Sequence, residues 1–247
     1  MMKKIILSLF CGLCLAPACW AYTIENNGPG ISVVFCALHE DKETFLKDVH
    51  VLTSKLGATP PFSAFPHDIA LYHIVLLPEE AARIFKEAPG IPPLQVRRDF
   101  LQTIAVRLKG PYKLVIIDAS GGTSTAELSD PHTTSLIILG KGRYTTADSF
   151  AKGFLHELGH SLGLRDEGVS GTAGLAPPGP PNCAATEEEA KAWWGDLEGN
   201  VARVGYIHGC GGNKNYIRPT IASFMNDPDK AGDYGPVNTR YLSRIFQ

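Results

Sequence analysis

From Ile31 onward the chain alternates short apolar runs with stretches of helical spacing. Residues 31–36 form a β-branched run that reads as a strand. Residues 44–56 carry Phe45, Val49, Leu52 and Leu56 three or four apart, the period of a helix with one buried face, and Gly57 follows. Pro60, Pro61 and Pro66 make residues 59–66 a loop. Residues 69–77 read as a second strand, and residues 94–108 as a helix with Phe100, Leu101, Ile104 and Leu108 inward, closed by Gly110-Pro111. Residues 114–117 are apolar at every position, which predicts a strand buried on both faces. A flexible polar loop over 121–131 and a fourth strand over 135–139, ending at Gly140, complete the first half. Strands alternating with helices predict an α/β fold on a mostly parallel, twisted sheet.

The next helix starts from Asp148 or Ser149 as N-cap, and Phe150, Phe154, Leu158 and Leu162 make its apolar stripe. Beyond residue 166 the character changes. Residues 168–183 are rich in Gly, Ala and Pro, and the run Pro177-Pro178-Gly179-Pro180-Pro181 continues neither a helix nor a central strand. A short helix is expected over about 186–197, a loop over 209–212, and a last helix over about 237–246. No internal repeat and no coiled-coil pattern is present.

Residues 156–166 hold the chemistry: His-Glu-Leu-Gly-His-Ser-Leu-Gly-Leu-Arg-Asp. His156 and His160 are four apart, so on a helix both imidazoles leave one face and can grip one ion. That face is not the apolar stripe, so core packing and metal binding do not compete. Glu157 is placed to reach a water on the metal rather than the metal itself. Gly163 lets the chain leave the helix sharply, and Asp166 can return a third ligand; Glu167 is the neighbouring alternative. Three protein ligands with an open position make a catalytic zinc site rather than a closed structural one. The expected chemistry is hydrolysis.

Length and charge narrow the class. Lys3 and Lys4, an apolar run over 5–15 and small residues near Ala18 and Ala21 predict a signal peptide over residues 1–21. Cleavage after Ala21 is preferred and cleavage after Ala18 is the alternative. The apolar run is too short to span a bilayer. About 226 residues remain, the size of one domain. The formal charge of −2 becomes about −4 without the two leader lysines, which argues against nucleic acid as a partner. Of six cysteines, Cys11, Cys14 and Cys19 belong to the leader. Cys183 and Cys210 flank a loop-rich stretch and are expected to pair, leaving Cys36 as a buried free thiol.

Downstream, Ser223-Phe224-Met225-Asn226 is a candidate tight turn that sets a thioether beneath the metal site. The motif His-Glu-x-x-His-x-x-Gly-x-x-Asp followed by such a Met-turn resembles the metzincin clan of zinc metallopeptidases. More narrowly, the chain resembles the IgA-peptidase-type metallopeptidases. The likeness is carried by Ile31-Ser32-Val33-Val34-Phe35, Pro61-Phe62-Ser63-Ala64-Phe65, Leu164-Arg165-Asp166-Glu167, Pro181-Asn182-Cys183 leading to Trp193-Trp194, and Tyr216-Ile217-Arg218-Pro219-Thr220 running into Met225.

The resemblance implies a catalytic domain over residues 22–247, with an N-terminal subdomain to about 164 and a loop-rich C-terminal subdomain from about 165. It implies one catalytic Zn2+ on His156, His160 and Asp166, with Glu157 as general base and acid in peptide-bond hydrolysis. The expected product is an exported endopeptidase, periplasmic or secreted, monomeric, free of the membrane when mature, and acting on protein or peptide. The alternatives are a zinc hydrolase of non-peptide amides or esters, and a degenerate binding protein of the same fold. By analogy, the strand over 135–139 is the cleft-edge strand, pairing with an extended substrate. Tyr216 and Tyr234 are the candidate oxyanion donors. His39, His50, His67, His73, His132 and His208 have no motif partners, and Asp227 and Asp229 read as a solvated loop rather than a calcium site.

Overall fold

Alternation inside the apolar runs decides the architecture. Strand β2 (Ile31–Leu38) sends Ile31, Val33 and Phe35 into one apolar cluster and Val34, Cys36 and Leu38 into another, and all six are buried. A strand with apolar residues on both faces must be covered on both. The computed structural model describes residues 21–24, 30–38, 40–76, 81, 83–87, 94–96, 98–108, 110–168 and 177–247. The expected leader, apart from Ala21, and His39 lie outside these residues.

The main sheet has six strands. Around β2 stand β3 (Ile69–Val75) on one side and β6 (Tyr112–Asp118) on the other, both parallel to it. β8 (Ser135–Gly140) adds parallel to β6. The two outer strands are antiparallel: β1 (Ala21–Ile24) on β3, and the two-residue β7 (Thr125–Ala126) on β8. The order is β1-β3-β2-β6-β8-β7, a mostly parallel α/β sheet as expected. Residues 135–139 are not the edge, however. The stretch expected as a polar loop contains β7, and Thr125 and Ala126 pair with Ile138 and Ile137.

Helices cover the two faces. Helix α1 (Lys42–Ala58) buries Phe45, Val49, Leu52 and Leu56 on the face that also holds Val115 and Ile117. Its N-cap is Asp41, whose carboxylate accepts from the amides of Glu43 and Thr44. Helix α2 (Arg98–Leu108) places Phe100 and Ile104 on the opposite face, with Leu114 and Ile116. It is shorter than the spacing predicts. Leu94–Val96 is strand β5, paired antiparallel with β4 (Phe85–Glu87), so the helix starts at Arg98. Cys36 is buried and free, and burial raises its thiol far above the ordinary range.

The third helix, α3 (Ala147–Ser161), packs beside α1 with Phe150, Phe154, Leu158 and Leu162 buried. Its N-cap is Thr146, not Asp148 or Ser149. Thr146 Oγ1 accepts from the amide of Ser149 at 3.0 Å, and Ser149 Oγ accepts from the amide of Thr146 at 3.2 Å. This reciprocal box places Ser149 at the third helical position, and Asp148 in the first turn pairs with Lys55 and Lys152.

Beyond α3 the chain builds a smaller unit from α4 (Glu187–Trp194), the hairpin β9 (Ile207–Cys210) with β10 (Asn213–Arg218), and α5 (Pro236–Ser243). The expected loop over 209–212 is the turn of that hairpin with its flanking strand ends. The last helix gives way to a 3-10 turn over Arg244–Phe246. Cys183 and Cys210 form a disulfide with their α-carbons 5.7 Å apart. Phe224, Met225, Tyr234 and Leu242 join the same apolar cluster as α1 and α3. Among the described residues, no helix is long and apolar enough to cross a membrane.

Candidate metal centre

The end of α3 fixes the geometry. Gly163 has φ +97°, a conformation that L side chains rarely adopt. Its amide donates to His160 O, and the amide of Leu164 reaches back to Gly159 O. These two bonds form a Schellman cap, which satisfies the last carbonyls and reverses the chain. Arg165 and Asp166 therefore run back along the histidine face.

There the side chains converge. His156 Nε2 and His160 Nε2 lie 3.1 Å apart, and Asp166 Oδ1 stands 3.3 Å from the first and 3.4 Å from the second. Each ring is anchored at its other nitrogen. His156 Nδ1 donates to Phe224 O at 2.7 Å, and His160 Nδ1 donates to Leu164 O at 2.8 Å. A carbonyl can only accept, so these bonds fix the tautomer with Nδ1 protonated. Both Nε2 atoms and a carboxylate oxygen of Asp166 are thereby turned toward one point, an arrangement that a cation can bridge.

The edge lengths can be tested against a bound ion. Four ligands at about 2.0–2.1 Å in a tetrahedron stand about 3.3–3.4 Å from one another. The three measured separations of 3.1, 3.3 and 3.4 Å fit such a set with one vertex open. His156, Glu157 and His160 also bring one ligand atom each within 4.8 Å of one another, and this group could hold a metal ion. Of the two carboxylates, Asp166 is in contact with both Nε2 atoms, whereas Glu157 is the residue next to His156 on the helix. Contact geometry therefore favours Asp166 as the third donor.

Glu157 is buried, and burial is the main force raising its carboxyl above the ordinary range; the neighbouring histidines pull the other way. Desolvation opposes charge on His160, yet the Asp166 carboxylate outweighs it and the net shift is upward. Desolvation opposes charge on Asp166, but the two imidazoles in contact with it outweigh that and hold its carboxyl far below the usual range.

Glu167 has its carboxylate engaged elsewhere. Its carboxylate is fully buried and accepts from Ser223 Oγ at 2.6 Å, Asn238 Nδ2 at 2.8 Å and Asn182 Nδ2 at 3.0 Å. All three donors belong to the segments that follow α3. The alternative ligand is thus a structural carboxylate.

The turn at 223–226 closes through the amide of Asn226 on Ser223 O at 3.0 Å. It serves the site twice: Phe224 O receives His156, and Met225 O receives the amide of Glu167 at 2.7 Å. Met225 is completely buried against Gly159, which lies between the two histidines on α3. Tyr234, expected as a possible oxyanion donor, is excluded from that role. Its hydroxyl is buried and donates to Leu155 O at 2.5 Å. Tyr216 is half-buried on β10.

The other candidates behave as plain residues. His50, His67, His132 and His208 are exposed, and the His73 ring packs edge-on to Phe45. Asp227 accepts from the Lys230 amide and ammonium, which is the pattern of a solvated turn. What the sequence did not reveal was the anchoring set, namely the Leu164 and Phe224 carbonyls and the side chains of Asn182 and Asn238. Backbone carbonyls leave no mark in a sequence, and lone asparagines carry no spacing signal. Neither a family model nor a curated protein sequence matches the chain.

Proposed function

We propose that the chain is an exported zinc-dependent endopeptidase of metzincin type. One observation carries the reading: the three donor atoms of His156, His160 and Asp166, set 3.1–3.4 Å apart with both Nδ1 atoms tied to carbonyls. Imidazole nitrogens with one carboxylate in a tetrahedral set suit zinc. When bound, the ion supplies Lewis acidity toward a water and toward the scissile carbonyl. Glu157 takes the proton of the attacking water and returns it to the leaving nitrogen. A carboxyl with a raised pKa suits this double duty better than an ordinary one.

Edge strand β7 takes over the role expected of residues 135–139. It ends the sheet order, and an extended peptide can pair with its outer side by strand addition. The turn at 223–226, with Met225 packed under α3, supports the Met-turn reading. The Cys183–Cys210 disulfide supports export through the leader, because such bonds persist in oxidising compartments.

The deciding experiment pairs metal analysis with hydrolysis of an unfolded protein, for the native chain and for Glu157→Ala. About one zinc per chain is expected in both, with hydrolysis lost only in the variant. A folded native chain that cannot take up zinc overturns the proposal. Hydrolysis of small amides or esters with none of protein would replace the peptidase reading with a different hydrolase.

A further inference from the structure

The buried carboxylate of Glu167 joins four separate stretches of chain. Its own segment follows Asp166 directly. Asn182 and Asn238 both donate to its Oε1, and Ser223 Oγ donates to its Oε2. Asn182 does more than meet Glu167. Its amide oxygen accepts from Arg165 N at 3.0 Å, and its amide nitrogen donates to Arg165 O at 2.8 Å. The backbone on both sides of residue 166 is held as well: the amide of Glu167 donates to Met225 O, and the amide of Gly211 donates to Asp166 O at 2.8 Å.

The two covalent ends of this arrangement are adjacent residues. Asn182 precedes Cys183, Gly211 follows Cys210, and the two cysteines are joined. One side of the disulfide therefore grips residue 165, and the other grips residue 166. Asp166 itself sits on a loop just past a helix end, where the hydrogen-bond ladder of α3 no longer holds the backbone. These flanking bonds hold it instead.

We infer that Glu167, Asn182 and the Cys183–Cys210 bridge form a clasp that positions Asp166 as a metal ligand, with Glu167 and Asn182 as positioning residues. This rests on the metal centre proposed above. The clasp touches neither the ion nor a substrate. It acts by keeping one carboxylate oxygen at the distance that completes the set, and outer groups of this kind commonly govern metal affinity by about 10–100-fold.

The test uses the whole mature chain with Co2+ as probe, below the melting temperature of each variant. A fault that merely destabilises the fold leaves the dissociation constant of the folded molecules unchanged. The clasp instead predicts that Glu167→Gln and Asn182→Ala bind Co2+ about 10–100-fold more weakly. Their visible spectra should change in band position and intensity as the ligand set is altered. The same losses should shrink to within about threefold when the substitutions are made on an Asp166→Ala background, because the residue they act through is gone. Where Glu167→Gln does not fold, Asn182→Ala and Asn182→Ser carry the same comparison. Full affinity in the folded variants, or an undiminished loss on the Asp166→Ala background, overturns the clasp. A native chain that takes up no Co2+ and no zinc overturns the metal centre instead, so the two failures are distinguishable.

Discussion

Gly159 faces Met225 so closely that a methyl group on its α-carbon would stand 2.5 Å from the thioether sulfur and 3.2 Å from the Tyr234 ring. The glycine lies between the two histidines, directly before His160, in the interior of a helix, where it costs helix stability. Close approach of the 223–226 turn is the physical reason for its presence.

Gly159→Ala is therefore expected to destabilise the fold. Alanine gains up to about 1 kcal/mol in helix propensity, but overpacking a closed core costs about 1–3 kcal/mol. The contact should win, lowering the urea midpoint. On a Met225→Ala background the same substitution should be neutral or stabilising. An equal cost in both backgrounds would mean that another contact is responsible.

Asp166→Ala separates the two carboxylates that the sequence offered as third ligand. Removing a direct ligand should weaken zinc binding by more than the roughly 10–100-fold typical of outer groups. Competition against a chelator of known affinity measures this. Unchanged affinity would return the ligand role to another group.

Lys113 predicts a pH dependence. It is buried on β6, and its ammonium donates to Asp130 O and Thr133 O. Burial lowers its pKa from 10.5 to about 8, against the pull of Asp130 and Glu127. Between those values the unfolded chain holds a proton that the folded chain has released, so this group makes stability rise with pH. Urea midpoints at pH 8 and pH 10 should show a gain for the native chain relative to Lys113→Met. Tyr112, Tyr144 and Tyr234 are raised and act in the opposite sense above about pH 10, but they are common to both proteins. A parallel pH response of the two proteins would rule out Lys113 as the source.

The disulfide closes a loop of sequence separation 27. Chain-entropy reasoning gives about 3–4 kcal/mol for a loop of that size. Cys183→Ala with Cys210→Ala should lower the stability of the metal-free chain by that order, read from the urea midpoint. A loss below about 1 kcal/mol would mean that the unfolded chain is already constrained there.

Several parts of the molecule were legible because they repeat. The stripe of Phe150, Phe154, Leu158 and Leu162 and the fully apolar run at 114–117 were both found where the pattern put them, and their faces matched. Short or locally ambiguous elements were not. Leu94–Val96 continues the apolar spacing of α2 and still pairs as a strand, because three residues cannot distinguish the two periods. Two-residue β7 has no period at all, which is why residues 135–139 read as the edge. At the centre, His156, Glu157 and His160 follow from spacing alone. Spacing from His160 already prefers Asp166 to Glu167; what the sequence hides is why, namely that Ser223, Asn182 and Asn238 occupy the Glu167 carboxylate.

Asn238 lies on α5, 71 residues beyond Glu167, yet it supplies one of the three donors on that carboxylate. Hydrogen-bonding demand at Glu167 is therefore met only once α5 has docked against the segment that follows α3. With α5 undocked, that buried carboxylate is one partner short, next to Asp166 in the chain. If the proposed centre takes up its ion, capture waits for the docking of α5 rather than for formation of the helix that bears the histidines.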